Sequence, residues 1–400
     1  MRTLPSAVRA VIRHRRPAPW CWEAVVAAVD AGATSANGAL AQAGPAVRGH
    51  ADRIAVSLDG YLDRLFPTTD GSIEALTLAL AGMGDVRALP GARFLAKKGR
   101  LPSLRPRAHI LALLPAAELL PAVLPVLRKK TERHYQNTAV FELLAAWGPA
   151  AAPAALDVVR YLETAFAYDA LRILGRIGPP AAAFADRLAA FATGRDPQSR
   201  RHHEAVAAWA HWRATGDDTL ALKVCGAAVR SGGAGRGLPY LADLGPAAAA
   251  HADAVRGLLE SPGAWTRVAA AHAYWRITGD PEPAVPVLLA AVDPAWTGNP
   301  ALPTREAVRL LGEIGGPAGA AAPLLRPILA SEERLGHPFE GERILADENY
   351  VRTLTEALER IGPGAEGPVP ASPPALAADP APAVGAGFHL LRGWRGWRAR

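Results

Sequence analysis

Apolar residues recur along this chain at the i, i+3, i+4, i+7 spacing that gathers them on one face of a helix. In Thr304–Ile314 the apolar positions 307, 308, 310, 311 and 314 form such a stripe. A glycine follows, suited to the positive φ that ends a helix, and then Pro or Asp, suited to the start of the next one. A second apolar segment comes after each such mark, as in Ala321 to Leu329 or Val285 to Val292. Neither segment of a pair can bury its stripe alone, so the pattern predicts helical hairpins that stack. No region alternates with period two over a useful length, and β-branched residues never cluster between turn signals, so strands are not expected.

The pattern repeats. Trp212-Arg213-Ala214-Thr215-Gly216-Asp217 matches Trp275-Arg276-Ile277-Thr278-Gly279-Asp280 at an offset of 63 residues, two units of about 32. An apolar residue followed by Gly-Pro recurs at Trp147-Gly148-Pro149, Ile177-Gly178-Pro179, Leu244-Gly245-Pro246 and Ile361-Gly362-Pro363, with Ile314-Gly315-Gly316-Pro317 as an expanded form. With Met83-Gly84-Asp85, the marks sit near 84, 148, 178, 216, 245, 279, 315 and 362, and most gaps run from 29 to 38. The gap from 84 to 148 is double, and Leu114-Pro115 stands at its middle.

Residues 303–315 (PTREAVRLLGEIG) and 279–288 (GDPEPAVPVL) resemble HEAT repeats of the phycobilisome-lyase type, and the resemblance covers roughly residues 72–363. It implies an all-α fold, a right-handed α-solenoid of about nine stacked helical hairpins. The family is named after one activity, but most members resemble generic scaffolds. The same fold hosts some DNA-alkylation repair glycosylases, and no set of positions here accepts their base-excision residues.

Residues 1–71 read as an atypical helical cap, with helices over Trp20 to Asp30 and Ala46 to Phe66 joined through the small residues Ala31 to Gly44. A cap hides a stripe that the end of a repeat array would otherwise expose. Between the marks at 315 and 362 an insertion, Ser331 to Tyr350, carries Glu332, Glu333, Glu340, Glu342, Asp347 and Glu348, and reads as a solvated acidic loop or, second, as a loop on the binding face. Residues 364–400 read as a disordered Pro/Ala/Gly linker ending in a tail where Phe388, Trp394 and Trp397 alternate with Arg392, Arg395, Arg398 and Arg400.

Composition changes this picture little. Apolar residues make up 50% of the 400 and charged residues 20%, enough for a large buried core in one elongated array. Cys21 and Cys225 lack the paired spacing of a zinc or redox motif, so a reducing, cytoplasmic setting is expected. The Arg-rich N-terminus is followed by no apolar run of the signal type, and Leu111–Leu127 is interrupted by Pro115, Pro121 and Pro125, so no membrane span is expected.

Patterns for chemistry are weak. His202-His203-Glu204 lacks the i, i+4 histidine pair of a helical zinc site. Ser231–Gly237 (SGGAGRG) is glycine-rich but has no preceding strand and no Lys-Ser or Lys-Thr after it, and reads as an inter-helix loop. Asp59 and Asp63 lie one turn apart beside Arg53 and Arg64, as on a solvated charged face. No serine sits in a nucleophile elbow, and Trp209 and Trp212 read as core. No catalytic residue, metal ligand or cofactor is expected.

The formal charge is +7, almost all of the cations are Arg, and two basic clusters stand out. Lys97, Lys98 and Arg100 continue to Arg105 and Arg107, while Arg128, Lys129 and Lys130 continue to Arg133. They recur 31 residues apart at the ends of successive second helices, so stacking would place them on one edge, where cations also offset the helix dipole. The expected function is a non-enzymatic scaffold that holds a protein partner on its concave face. Sequence-nonspecific nucleic-acid binding along the basic edge is the second reading, and a lyase or glycosylase with a raised-pKa acid in a deep pocket the third.

Overall fold

The computed structural model describes residues 3–63, 70–102, 105–128, 134–336 and 342–362. Among them the chain is all-α: there is no strand, and the one isolated bridge joins His14 and Glu333. Tertiary contacts divide it into two compact units, Met1–Arg160 with Ala330–Val351, and Tyr161–Leu329 with Arg352–Arg400. The expected linker and tail, 364–400, lie outside the described residues.

The first unit holds α1 (Leu4–Arg13), α2 (Pro19–Asp30), α3 (Asn37–Leu40), α4 (Ala51–Leu62), α5 (Asp70–Gly82), α6 (Leu89–Lys98), α7 (Arg105–Leu111), α8 (Ala116–Arg128), α9 (His134–Trp147) and α10 (Ala155–Val158). Helix α5 is its centre and touches α3, α4, α6 and α7. Its residues Ile73, Leu76, Leu78, Ala79 and Leu80 are fully covered, which explains why it is apolar on nearly every side. Helix α8 runs through Pro121 and Pro125, both on its exposed side, while Leu119, Leu120, Val123, Val126 and Leu127 are buried. The stretch Thr138–Glu163 is long and apolar enough to cross a membrane by length and composition, and 67% of its apolar window is buried inside the protein. Gly148, at φ 54°, and the 3₁₀ turn Gly148–Ala154 break it in the middle.

Helix α1 was not among the expected elements, although Leu4, Ala7, Val8, Val11 and Ile12 carry the helical spacing. Thr3 caps it, accepting the Ser6 amide N–H at 3.4 Å, and the Ser6 hydroxyl bonds back to Thr3. Helix α1 packs on α2, burying Ala7 and Val11, and a network from far along the chain braces its end. Asp347, fully buried, accepts Arg15 Nε at 3.2 Å and Nη2 at 2.9 Å, Arg334 Nη1 at 3.1 Å and the Leu335 amide at 3.1 Å. Arg334 also donates through Nε to the Val11 carbonyl at 3.0 Å and pairs with Glu348 at 2.6 Å. The backbones join beside this network, Arg15 N–H to Glu332 O at 2.9 Å and Arg334 N–H to Arg13 O at 2.8 Å.

The insertion is therefore not a solvated acidic loop. Ser331–Leu335 lies along the end of α1, and helix α21 (Arg343–Ile361) begins soon after, with Asp347 facing inward. Glu340 lies outside the described residues.

The second unit holds α11 (Ala167–Ile177), α12 (Ala185–Ala192), α13 (Arg201–Thr215), α14 (Thr219–Arg230), α15 (Ala234–Leu244), α16 (Ala252–Arg256), α17 (Ala264–Thr278), α18 (Ala284–Ala290), α19 (Thr304–Ile314), most of α20 (Ala322–Ala330) and the end of α21. Helices α11, α13, α15, α17 and α19 pack each on the next. Gly178, Gly216, Gly245, Gly279 and Gly315 close them at positive φ, as the sequence marks predict. Two glycines inside these helices permit close approach. A Cβ on Gly175 would stand 2.2 Å from the Trp209 ring, and one on Gly312 would stand 2.6 Å from the Ala357 Cα of α21.

Removing one partner of a buried ion pair leaves an uncompensated charge, a loss of roughly 3–5 kcal/mol. Asp347→Ala is expected to lower the stability measured by urea denaturation by at least about 3 kcal/mol. Glu332→Ala, which touches the same segment only through its backbone, should cost within about 0.5 kcal/mol.

Candidate functional site

The residues of the expected basic edge meet different fates. Lys97 and Lys98 stand exposed at the end of α6, where Gly99 in the left-handed region closes the helix, and Lys98 Nζ lies 5.6 Å over the Phe94 ring. Arg100 is exposed. Arg105 opens α7. Arg107 turns to carboxylates instead, reaching Glu74 at 3.0 Å and Glu342 at 2.8 Å. Burial pushes the Glu342 carboxyl above its usual range, with Arg107 acting against that. Arg128 forks onto Asp157, with contacts of 3.1 and 2.9 Å. Lys129, Lys130 and Arg133 lie outside the described residues. Two arginines of the edge thus already hold carboxylates of the same unit.

Other sequence candidates resolve into structure. No group of three or more His, Cys, Asp or Glu among the described residues is arranged to hold a metal ion. His203 is buried, and its Nδ1 accepts the Arg200 amide N–H at 3.1 Å where α13 begins. Burial, with the charges of His202 and Arg200, lowers His203 to about 4. The glycine-rich segment is a loop only to Gly233. Helix α15 takes over from Ala234, and a Cβ on Gly237 would stand 2.6 Å from the Cys225 carbonyl oxygen. Asp59 belongs to α4 and Asp63 caps it, while Arg53 pairs with Asp30 at 2.9 Å, and Arg64 lies outside the described residues. Cys225 is buried, and burial pushes its thiol up to about 12, so it carries no thiolate at neutral pH.

The tryptophans behave in two ways. Trp209 is 6% exposed, packs on Tyr240 with ring centroids 5.5 Å apart, and donates Nε1–H to Asp243 Oδ2 at 2.7 Å. Trp212 and Trp275 are only half-buried, and each carries the guanidinium of the following residue near its ring, Arg213 at 5.7 Å and Arg276 at 6.0 Å.

Trp275 belongs to a cleft of about 540 Å³ in the second unit, lined by Pro239, Ala242, Asp243, His272, Trp275, Arg276, Arg309, Glu313 and Arg360. These come from α15, α17, α19 and α21, so the cleft crosses four helices in turn. Arg309 is tied down, bonding Glu306 at 2.9 and 2.5 Å and also Glu313. Burial raises the Glu306 carboxyl, but the bonds and charge of Arg309 outweigh it and leave the group below its usual range. Burial also lowers His272, assisted by Arg309 and opposed by Glu306 and Glu313. Its ring lies 6.4 Å from Trp275. Arg276 donates only a long bond to the Ala242 carbonyl, 3.4 Å, and Arg360 has no ion-pair partner among the described residues.

The sequence reading used Arg276 and Glu313 only as parts of repeat marks and passed over Asp243, His272 and Arg360. Counted from the closing glycines, Arg213 and Arg276 lie three residues before the glycine and Asp243, Glu313 and Arg360 two before it, so all five fall within the last turn.

The fold and this cleft define an all-α protein with a mixed-charge groove across successive helix ends. No family model matches the chain, and no curated protein matches it.

Since folded His203 takes a proton only near pH 4 while the unfolded chain takes it near 6.5, the unfolded state binds more protons between these values. Stability from this site is present above about pH 6.5 and is lost as pH falls toward about 4. Urea denaturation at pH 7 and pH 5 should show a larger loss for the wild type than for His203→Gln. Equal losses would mean that His203 is not held neutral by burial.

Proposed function

We propose that this chain is a non-catalytic scaffold of HEAT-like repeats, an α-solenoid that holds a protein partner on the face carrying helices α13, α15, α17, α19 and α21. The observation that supports this reading most is the shared register. Helices closed by Gly216, Gly245, Gly279, Gly315 and Gly362 bring their last turns side by side, and four of those turns line one cleft. A surface repeated helix by helix suits a long partner segment rather than one small substrate. The side chains of the cleft support it too: a half-buried tryptophan beside arginines is the composition of a protein-binding hot spot.

The test uses the full chain, immobilised and exposed to nuclease-treated native lysate. A discrete protein should be retained, and Trp275→Ala should lower its recovery by about tenfold, as expected of a central aromatic anchor. Lys97→Glu with Lys98→Glu should leave recovery unchanged. Retention of nucleic acid from untreated lysate, eluted by salt and lost with the lysine changes, would overturn the reading in favour of the basic edge.

A further inference from the structure

Counted back from the closing glycines, the last turns carry Arg213 in α13, Asp243 in α15, Arg276 in α17, Glu313 in α19 and Arg360 in α21. At these positions the sign of the charge alternates from α13 to α21, whereas α11 ahead of them ends on Arg176 and the last turn of α21 also carries Glu359. The helix dipole accounts for the arginines, because cations are favoured at a C-terminus, but it opposes Asp243 and Glu313. The two acids are held there by neighbours, Asp243 by Trp209 and Glu313 by Arg309. Arg213, Arg276 and Arg360 stay exposed and form no ion pair among the described residues. Asp243, Arg276, Glu313 and Arg360 line the same cleft.

Packed helices lie about 8–10 Å apart. A polyproline II segment turns once every three residues and advances about 9 Å as it does so, which keeps every third side chain on one face at the helix spacing. An extended β-strand alternates faces every residue and cannot hold that register. A nucleic-acid backbone is also a poor match, since its uninterrupted negative charge would meet Asp243 and Glu313 as like charges. On the scaffold reading above, we infer that the cleft takes a partner segment in polyproline II conformation, lying across the helices with charges of alternating sign at every third residue. Acidic side chains face Arg213, Arg276 and Arg360, and basic ones face Asp243 and Glu313.

The inference is tested with labelled peptides and the full chain, by fluorescence anisotropy at low salt. The matched peptide is Asp-X-X-Lys-X-X-Asp-X-X-Lys-X-X-Asp, with Pro and Ala at X, and its charge pattern reads the same in both directions. Its sign-inverted counterpart and a peptide with the same composition but charges at every second residue serve as controls. The matched peptide should bind at least about tenfold more tightly than either, several surface pairs acting together. Arg276→Glu and Arg360→Glu, both at exposed positions that leave the core untouched, should each weaken it and narrow its advantage over the inverted peptide. Equal binding of the three peptides, or tighter binding of a single-stranded oligonucleotide than of the matched peptide, would overturn the inference. If the peptides fail to discriminate while Trp275→Ala still releases a protein captured from lysate, the scaffold reading stands and the charge register falls.

Discussion

An amphipathic helix in water cannot keep an apolar stripe exposed, and the form of the second unit follows from the neighbour that each helix uses to cover its own. In α19 that stripe holds Ala307, Val308, Leu310 and Leu311, all essentially inaccessible. Covering it fully requires the next helix to come very close, which is the role of the glycines inside the helices. Gly312 lets α19 meet the backbone of α21 at Ala357, and Gly175 opens a space for the Trp209 ring. The closing glycines then set where each helix stops. Packing sets which helices lie side by side and the glycines set where they stop, so a surface made from the last turns runs across successive helices.

The first unit depends on a second constraint of a different kind. Asp347 gathers two guanidiniums and a backbone amide, with Arg334 spending its remaining donors on Val11 and Glu348. Such a network adds little net stability over a well-packed apolar alternative, but it is specific, since Asp347 receives donors from three separate residues at once. It ties together residues more than three hundred positions apart, as does the bond from the Leu345 amide to Gln42 Oε1.

Charge is used differently at the surface. Arg107 and Arg128, which a linear reading groups with Lys97 and Lys98, turn toward Glu74, Glu342 and Asp157. Their carboxylate partners come from other helices, so a count of cations along the chain overstates the positive field of that edge. On the cleft the balance is reversed. Asp243 and Glu313 already have neighbours, whereas Arg213, Arg276 and Arg360 remain exposed.

Much of the local structure was legible in the sequence. The period of apolar residues identified helices without strands, and Thr304–Ile314 forms over the span its stripe marks. Gly-Pro and Thr-Gly-Asp marks placed the helix ends at 178, 216, 245, 279 and 315, because the backbone conformation needed there is one that few residues other than glycine adopt. These are short-range properties, decided within about one helical turn of each residue. The burial of Asp347 and the pairing of Arg107 and Arg128 with carboxylates were not legible, since a charged residue in a helix looks the same whether it faces water or a distant carboxylate. Only the tertiary structure pairs Arg15 with Asp347 and sets Asp243, Arg276, Glu313 and Arg360 around one cleft, because those neighbours meet through packing between helices rather than through position along the chain.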